Sequence, residues 1–129
     1  MSKATDIDVV DAWREQQKAY HATATLLDRT LEQRFDLGLS EFEILDLIWE
    51  SNTHAKDDKC TMRDLVDLTP MTQSALSRVV DRLTRAGLIG RNECTYDRRS
   101  MFVSLTATGM TVHAEARKVY RRLLSGELA

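Results

Sequence analysis

The stretch Thr69-Pro70-Met71-Thr72-Gln73-Ser74-Ala75-Leu76-Ser77-Arg78-Val79-Val80-Asp81-Arg82-Leu83-Thr84-Arg85-Ala86-Gly87-Leu88-Ile89-Gly90 decides how this chain is read. Pro70 breaks regular structure, Thr72 is a good helix N-cap, and Gly87 falls where a helix of about four turns would end on a left-handed residue. The spacing predicts a helix from Thr72 to Ala86. Leu76, Val79, Val80, Leu83 and Ala86 then share one face, while Ser74, Ser77, Arg78, Asp81, Arg82 and Arg85 share the other. One face packs, and the other is short, polar and basic. A buried helix would be apolar all round, and an ordinary surface helix would carry Glu and Lys pairs. Small hydroxyls beside arginines, with only Asp81 opposing them, let a helix come close to a polyanion, a composition that suits a DNA recognition helix.

Immediately upstream, Thr61 and Asp64 form a capping pair for a short helix over Met62 to Leu68. A short helix, a tight turn at Thr69-Pro70 and a longer helix with a polar face is the helix-turn-helix arrangement. Downstream, Leu88 to Cys94 and Ser100 to Leu105 read as two strands, with Met101, Val103 and Leu105 alternating on one face. Thr95-Tyr96-Asp97-Arg98-Arg99 between them makes a hairpin with two arginines near its tip, a wing. Thr106 caps a final helix from Ala107 to about Ser125, with Val112, Ala116, Val119, Tyr120 and Leu123 on one face.

Further out, residues from about Asp6 to Phe35 form one long helix without Gly or Pro, in which Trp13, Tyr20, Ala24, Leu27, Leu31 and Phe35 recur at spacings of three, four and seven. A helix of nearly thirty residues is roughly 45 Å long, more than a domain of this size needs for its own core, so part of it is expected to pack on a second subunit. Gly38 is expected to end it. Ser40 with Glu43 forms a capping box for a second helix, Glu41 to Glu50, whose core face holds Phe42, Leu45, Ile48 and Trp49. Ser51 to Lys59 is polar and reads as a loop; His54 and its two aspartates lack a second His or Cys at ligand spacing, so no metal is expected there.

The chain has 129 residues, 43% of them hydrophobic, which suits a single domain with its own core. It has no run of eighteen apolar residues and no basic-then-apolar N-terminal order, so a cytoplasmic location is expected. The net charge of −2 argues against nucleic acid until it is resolved by segment. Residues 1–58 hold 13 acids and 6 bases, residues 59–106 hold 5 and 8, and residues 107–129 hold 2 and 4; the acidic and basic halves are separate. Two cysteines, Cys60 and Cys94, make no framework and are expected to be reduced and partly buried.

Four runs in order, Leu76-Ser77-Arg78-Val79-Val80-Asp81-Arg82-Leu83, Ala86-Gly87-Leu88-Ile89-Gly90-Arg91, Asp97-Arg98-Arg99 and Leu105-Thr106-Ala107-Thr108-Gly109, resemble the winged helix-turn-helix core of the MarR family of bacterial transcription regulators. The resemblance runs from about Ser40 to Gly109. It implies a mostly α fold with a small β-hairpin wing, in which the helices over about 6–36 and 107–125 make a homodimer within one domain spanning 1–129. It also implies that the longer helix enters the major groove of double-stranded DNA and that each wing lays an arginine along the adjacent minor groove. Thr72, Gln73, Ser74, Ser77 and Arg78 occupy the N-terminal, outward part of the helix, where side chains reach base edges and phosphates. Arg82 and Arg85 lie further along, suited to phosphates or to Asp81. Arg98 and Arg99 sit at the wing tip; Arg99 aligns with the family's minor-groove arginine and Asp97 with the acid that orients it.

The family carries a small-ligand cleft between dimer region and DNA-binding lobe, and Trp13, Tyr20 and His21 are the residues on the long helix that could line it or else simply pack. The sequence stops at Leu124-Ser125-Gly126-Glu127-Leu128-Ala129, about where a further dimerisation helix would begin; either the chain is shortened or this member pairs through less surface. The function expected is that of a sequence-specific, dimeric repressor of a palindromic operator. The alternative is a winged-helix module that binds protein, since fold alone does not fix function; the basic outward face and the arginine wing weigh against it. No Gly-rich phosphate loop, metal-ligand cluster or nucleophile with its His and acid supports an enzyme, and no cofactor is expected.

Overall fold

The computed structural model of the chain describes residues 3–54, 59–93 and 101–126. Five helices and three strands follow in the order α1 (Lys3–Phe35), α2 (Leu39–His54), β1 (Cys60–Thr61), α3 (Met62–Leu68), α4 (Gln73–Arg85), β2 (Ile89–Glu93), β3 (Met101–Leu105) and α5 (Ala107–Ser125). None of these helices is long and apolar enough to cross a membrane.

The helix-turn-helix elements α3 and α4 form where the sequence predicts them. Thr61 Oγ1 accepts from Asp64 N at 3.1 Å while the Asp64 carboxylate accepts from Thr61 N at 2.9 Å, a reciprocal cap that satisfies two donors with no intrahelical partner. Thr72 caps α4 by accepting from Ala75 N at 3.2 Å. At its other end Gly87 adopts φ +76°, Leu88 N donates to Leu83 O and Gly87 N to Thr84 O, each at 3.0 Å. This closed C-terminal turn needs a left-handed residue, which glycine supplies without a Cβ penalty. Ala86 is the cap residue and stands exposed, so the helix's packed face ends at Leu83 rather than at Ala86.

The boundaries around α1 and α2 differ from expectation. Asp36, at φ +54°, turns the chain after α1, not Gly38. α2 starts at Leu39, two residues early, because its cap is Gly38: the Gly38 N–H donates to Glu41 Oε2 at 3.4 Å and the Leu39 N–H to Asp28 Oδ1 at 2.8 Å. Glu41 therefore fills the role expected of Glu43, and Ser40 is not the cap. α2 also runs on through Ser51–His54, half of the expected loop, with the His54 ring edge-on to Trp49 at 5.7 Å; residues 55–58 lie outside the described residues.

The sheet has the order β1-β3-β2, antiparallel throughout. The hairpin β2–β3 was expected, with Ile89 opposite Leu105 and Arg91 opposite Val103. β1 was not; a two-residue strand is too short to leave a period in sequence, yet Cys60 pairs with Val103 and ties the start of α3 to the wing. Asn52 from the end of α2 clasps the same strand, donating to Val103 O and accepting from Leu105 N, both at 3.4 Å.

One apolar core joins these parts. Leu31 from the end of α1, Leu37 from the turn after it, Phe42, Ile44, Leu45 and Ile48 from α2, Leu65, and Leu76, Val79, Val80 and Leu83 from α4 meet Ile89, Val103 and Ala116. Cys60 is fully buried in it, and burial pushes its thiol pKa up, which keeps it a thiol. The first half of α1 stands away from this core: Val9, Val10, Trp13 and Tyr20 are exposed.

Candidate nucleic-acid interface

The buried row Leu76, Val79, Val80 and Leu83 fixes the rotation of α4 about its own axis. With that face locked, Thr72, Gln73, Ser74, Ser77, Arg78, Asp81, Arg82 and Arg85 are all exposed, as period-3.6 geometry requires. α4 therefore presents two hydroxyls, an amide and an arginine in its first two turns, near the N-terminal end where unpaired N–H groups also favour an anion. Arg78 Nε donates to Ser74 O one turn back at 3.4 Å, which leaves the outer edge of the guanidinium in solvent.

Two further charges on this face, Asp81 and Arg82, are already paired. Arg91, on β2, holds Asp81 of α4, and the pair bridges helix and strand. Between them lies a small groove of about 280 Å³ lined by Ser77, Met62 and Met101 as well. Sequence reasoning missed Arg91 as Asp81's partner, because a helix-to-strand contact across the turn at Gly87 has no fixed spacing. Arg82 pairs instead with Glu41 of α2 at 3.0 Å. With Asp81 neutralised by Arg91, the outward face of α4 is less opposed than its sequence implies. The wing-tip residues Asp97, Arg98 and Arg99, together with Cys94, lie outside the described residues.

The trio proposed for a ligand cleft is on the surface of the single chain. Trp13 is 58% and Tyr20 68% exposed, and Tyr20 makes an edge contact with His21 at 5.6 Å between centroids. A groove of about 470 Å³ between α2 and α5 is lined by other residues, among them Asp46, Glu50, Arg117, Tyr120 and Arg121. A neighbouring one of about 230 Å³ adds Glu43 and the α3–α4 turn at Thr69-Pro70. Desolvation raises the Glu43 carboxyl above its ordinary value, against a Tyr120 hydroxyl that donates to it at 3.5 Å and lowers it, with Asp46 adding to the rise. Burial likewise raises the Tyr120 phenol, helped by the Glu43 and Asp46 charges.

A capped short helix, a turn, a helix with an exposed polar and basic face, and an antiparallel sheet packed beside it define a winged helix-turn-helix protein. The sequence profile of the MarR family matches residues 35–100, half of the chain, and the chain belongs to the MarR family of transcription regulators. Solved structures agree over nearly its whole length. The transcriptional regulator BldR from Sulfolobus solfataricus is 27% identical, with a TM-score of 0.79 over 99% of this chain and 86% of that one. AbsC, a MarR family regulator from Streptomyces coelicolor, is 26% identical, with a TM-score of 0.77 over 100% of this chain and 84% of that one. Sco3205 from the same organism, crystallised in complex with DNA, shares the fold at 24% identity and a TM-score of 0.82, covering 99% and 76%. No curated protein sequence matches the chain.

Proposed function

We propose that this chain is a sequence-specific, dimeric DNA-binding regulator, a cytoplasmic repressor of a palindromic operator that a small-molecule effector releases. The observation that carries the reading is the outward face of α4: Gln73, Ser74, Ser77 and Arg78 are exposed together on a helix whose opposite face is locked in the core. Gln can pair with adenine and Arg with guanine in the major groove, Thr72 and the hydroxyls with phosphates, and Arg82 with the flanking backbone. From the wing, Arg98 and Arg99 meet the adjacent minor groove, with Asp97 orienting Arg99. The structure of Sco3205 bound to DNA supports this use of the shared fold.

Support for the dimer comes from α1, whose exposed Val9, Val10, Trp13 and Tyr20 leave an apolar stripe along a helix end that the chain's own core does not reach. Release by an effector draws on the α2–α5 groove and on its neighbour, which reaches the α3–α4 turn at Thr69-Pro70.

The test is selection from a random pool of duplex DNA with sequencing, at roughly physiological salt, repeated with an Arg78→Ala, Arg99→Ala double variant. Recovery of a palindrome with half-site centres about one helical turn apart, lost in the variant, is the expected result. No enrichment by a folded, dimeric protein would move a protein-binding role ahead.

A further inference from the structure

Arg82 leaves the outward side of α4 with one guanidinium nitrogen already engaged: Nη1 lies 3.0 Å from Oε1 of Glu41. The two side chains are unequal, since Arg82 keeps 55% of its surface open to solvent and Glu41 only 18%. Glu41 is also fixed at its other oxygen, where Oε2 accepts from the Gly38 N–H at 3.4 Å. Its place in the first turn of α2 favours a carboxylate, and the adjoining Leu39 N–H is held from α1 by Asp28 at 2.8 Å. Glu41 is thus the anchored end of the pair and Arg82 the presented end. A guanidinium carries five donors in a rigid fork, so one engaged nitrogen leaves the rest directed outward.

We infer, building on the DNA-binding reading above, that Glu41 is a positioning residue: it holds Arg82 in the geometry in which its remaining donors meet a DNA phosphate beside the recognition helix. The gain is entropic, because a long side chain fixed when the protein folds has less freedom left to lose when DNA arrives. The cost is a carboxylate close to a polyanion. The two effects have opposite signs, which makes the assignment decidable. On charge alone, removing an acid from a DNA-facing surface tightens binding; removing a positioning residue weakens it.

A double-mutant cycle on the full chain separates them, with wild type, Glu41→Ala, Arg82→Ala and the double variant titrated against the selected operator across a range of salt. Glu41→Ala weakens binding about two- to tenfold, the factor that goes with immobilising one long side chain at an interface. It keeps the wild-type salt slope, because Arg82 still reaches its phosphate. Arg82→Ala weakens binding and makes the slope shallower by about 0.9, one phosphate contact. In the Arg82→Ala background, Glu41→Ala causes no further loss. Tighter or unchanged binding by Glu41→Ala, or the same loss in both backgrounds, overturns the assignment. Should Glu41→Ala fail to fold by circular dichroism, Glu41→Gln keeps an acceptor for Gly38 and is judged by the same criteria, with a smaller loss expected. A wild type that binds no duplex overturns the DNA-binding reading and this inference with it, an outcome visible before any variant is titrated.

Discussion

Asp46 and His113, 67 residues apart in sequence, meet at 2.7 Å between Oδ1 and Nε2 and join α2 to α5. His113 is 1% exposed and is the one buried polar side chain among the described residues. Its ring stacks on Trp49 at 4.7 Å and on Phe42 at 5.9 Å, and Arg117 lies over the other part of the cluster, 4.6 Å from the Trp49 centroid. Deleting the imidazole removes packing and leaves a void, so His113→Ala is expected to cost about 2–4 kcal/mol. Asp46→Ala strips the ring of its partner and is expected to cost about 1–3 kcal/mol. Urea denaturation measures both; losses below about 0.5 kcal/mol would place the pair among ordinary surface contacts.

Gly109, in the first turn of α5, faces the end of the α4–β2 turn so closely that an added Cβ would lie 1.9 Å from Leu88 O. That carbonyl already accepts from Thr106 N at 3.0 Å, while Thr106 Oγ1 donates to Gly87 O at 2.6 Å. Gly109→Ala must push α5 away from the turn that ends α4, at an expected cost of about 3 kcal/mol or more. Gly90→Ala meets open space at an ordinary φ, and is expected to change stability by less than about 0.5 kcal/mol. Thermal melts of the two variants should differ widely; similar melting temperatures would refute the close approach.

Legibility in the sequence followed how local the cause of each feature is. α3, α4 and α5 carry their signals within a few residues, Thr61 with Asp64, Thr72 with Gly87, and Thr106, and these caps form as read. The α1–α2 junction was misread because its cap is set partly by Asp28, eleven residues upstream of Leu39, a tertiary contact that competes with the local Ser40 and Glu43 signal. β1 was invisible for want of length. His113 could have been found: with Gly109 and Ala116 it falls on α5's buried face at spacings of four and three, but its partner Asp46 could not. Likewise the exposed polar face of α4 was legible from the helix period, whereas the pairing of Asp81 with Arg91 and of Arg82 with Glu41 depends on how three elements pack.

Glu43 makes a pH signature. Its folded pKa is raised above 4.5, chiefly by desolvation, so its protonated form is favoured by folding. The stability it contributes is full below 4.5 and is lost as pH rises through the folded value. Glu43→Gln removes this dependence while keeping an acceptor for Tyr120. The variant should match wild type in acid and exceed it at neutral pH, as read by denaturant midpoints between the two. A wild-type advantage at neutral pH would mean that the Tyr120 hydrogen bond, not desolvation, dominates.

Arg78 stands on the exposed face of α4 one turn beyond Ser74, whose carbonyl it touches at 3.4 Å. A bidentate contact to a base is worth about 1–3 kcal/mol, so Arg78→Ala should weaken operator binding by that amount and relax preference at one position per half-site. Titrations against operator and random duplex decide the matter. Equal losses on both would make Arg78 a phosphate contact and move base reading to Gln73 and Ser77.

The apolar stripe on α1 sets a prediction about assembly. Trp13 and Tyr20 are seven residues apart, two turns, and so point the same way; both are more than half exposed in the single chain, as is Val9. Exposed side chains of that size on one face mark an interaction surface, and α1, with 33 residues, is long enough to reach past its own domain. A Trp13→Glu, Tyr20→Glu double variant should sediment as a monomer at concentrations where wild type is expected to sediment as a dimer. It should keep wild-type helicity, because neither residue belongs to the core. The monomer should also lose operator affinity without losing binding to a half-site, since α4 is untouched. A variant that remains dimeric would remove this face from the interface and leave α5, with its exposed Leu124, as the surface to mutate next.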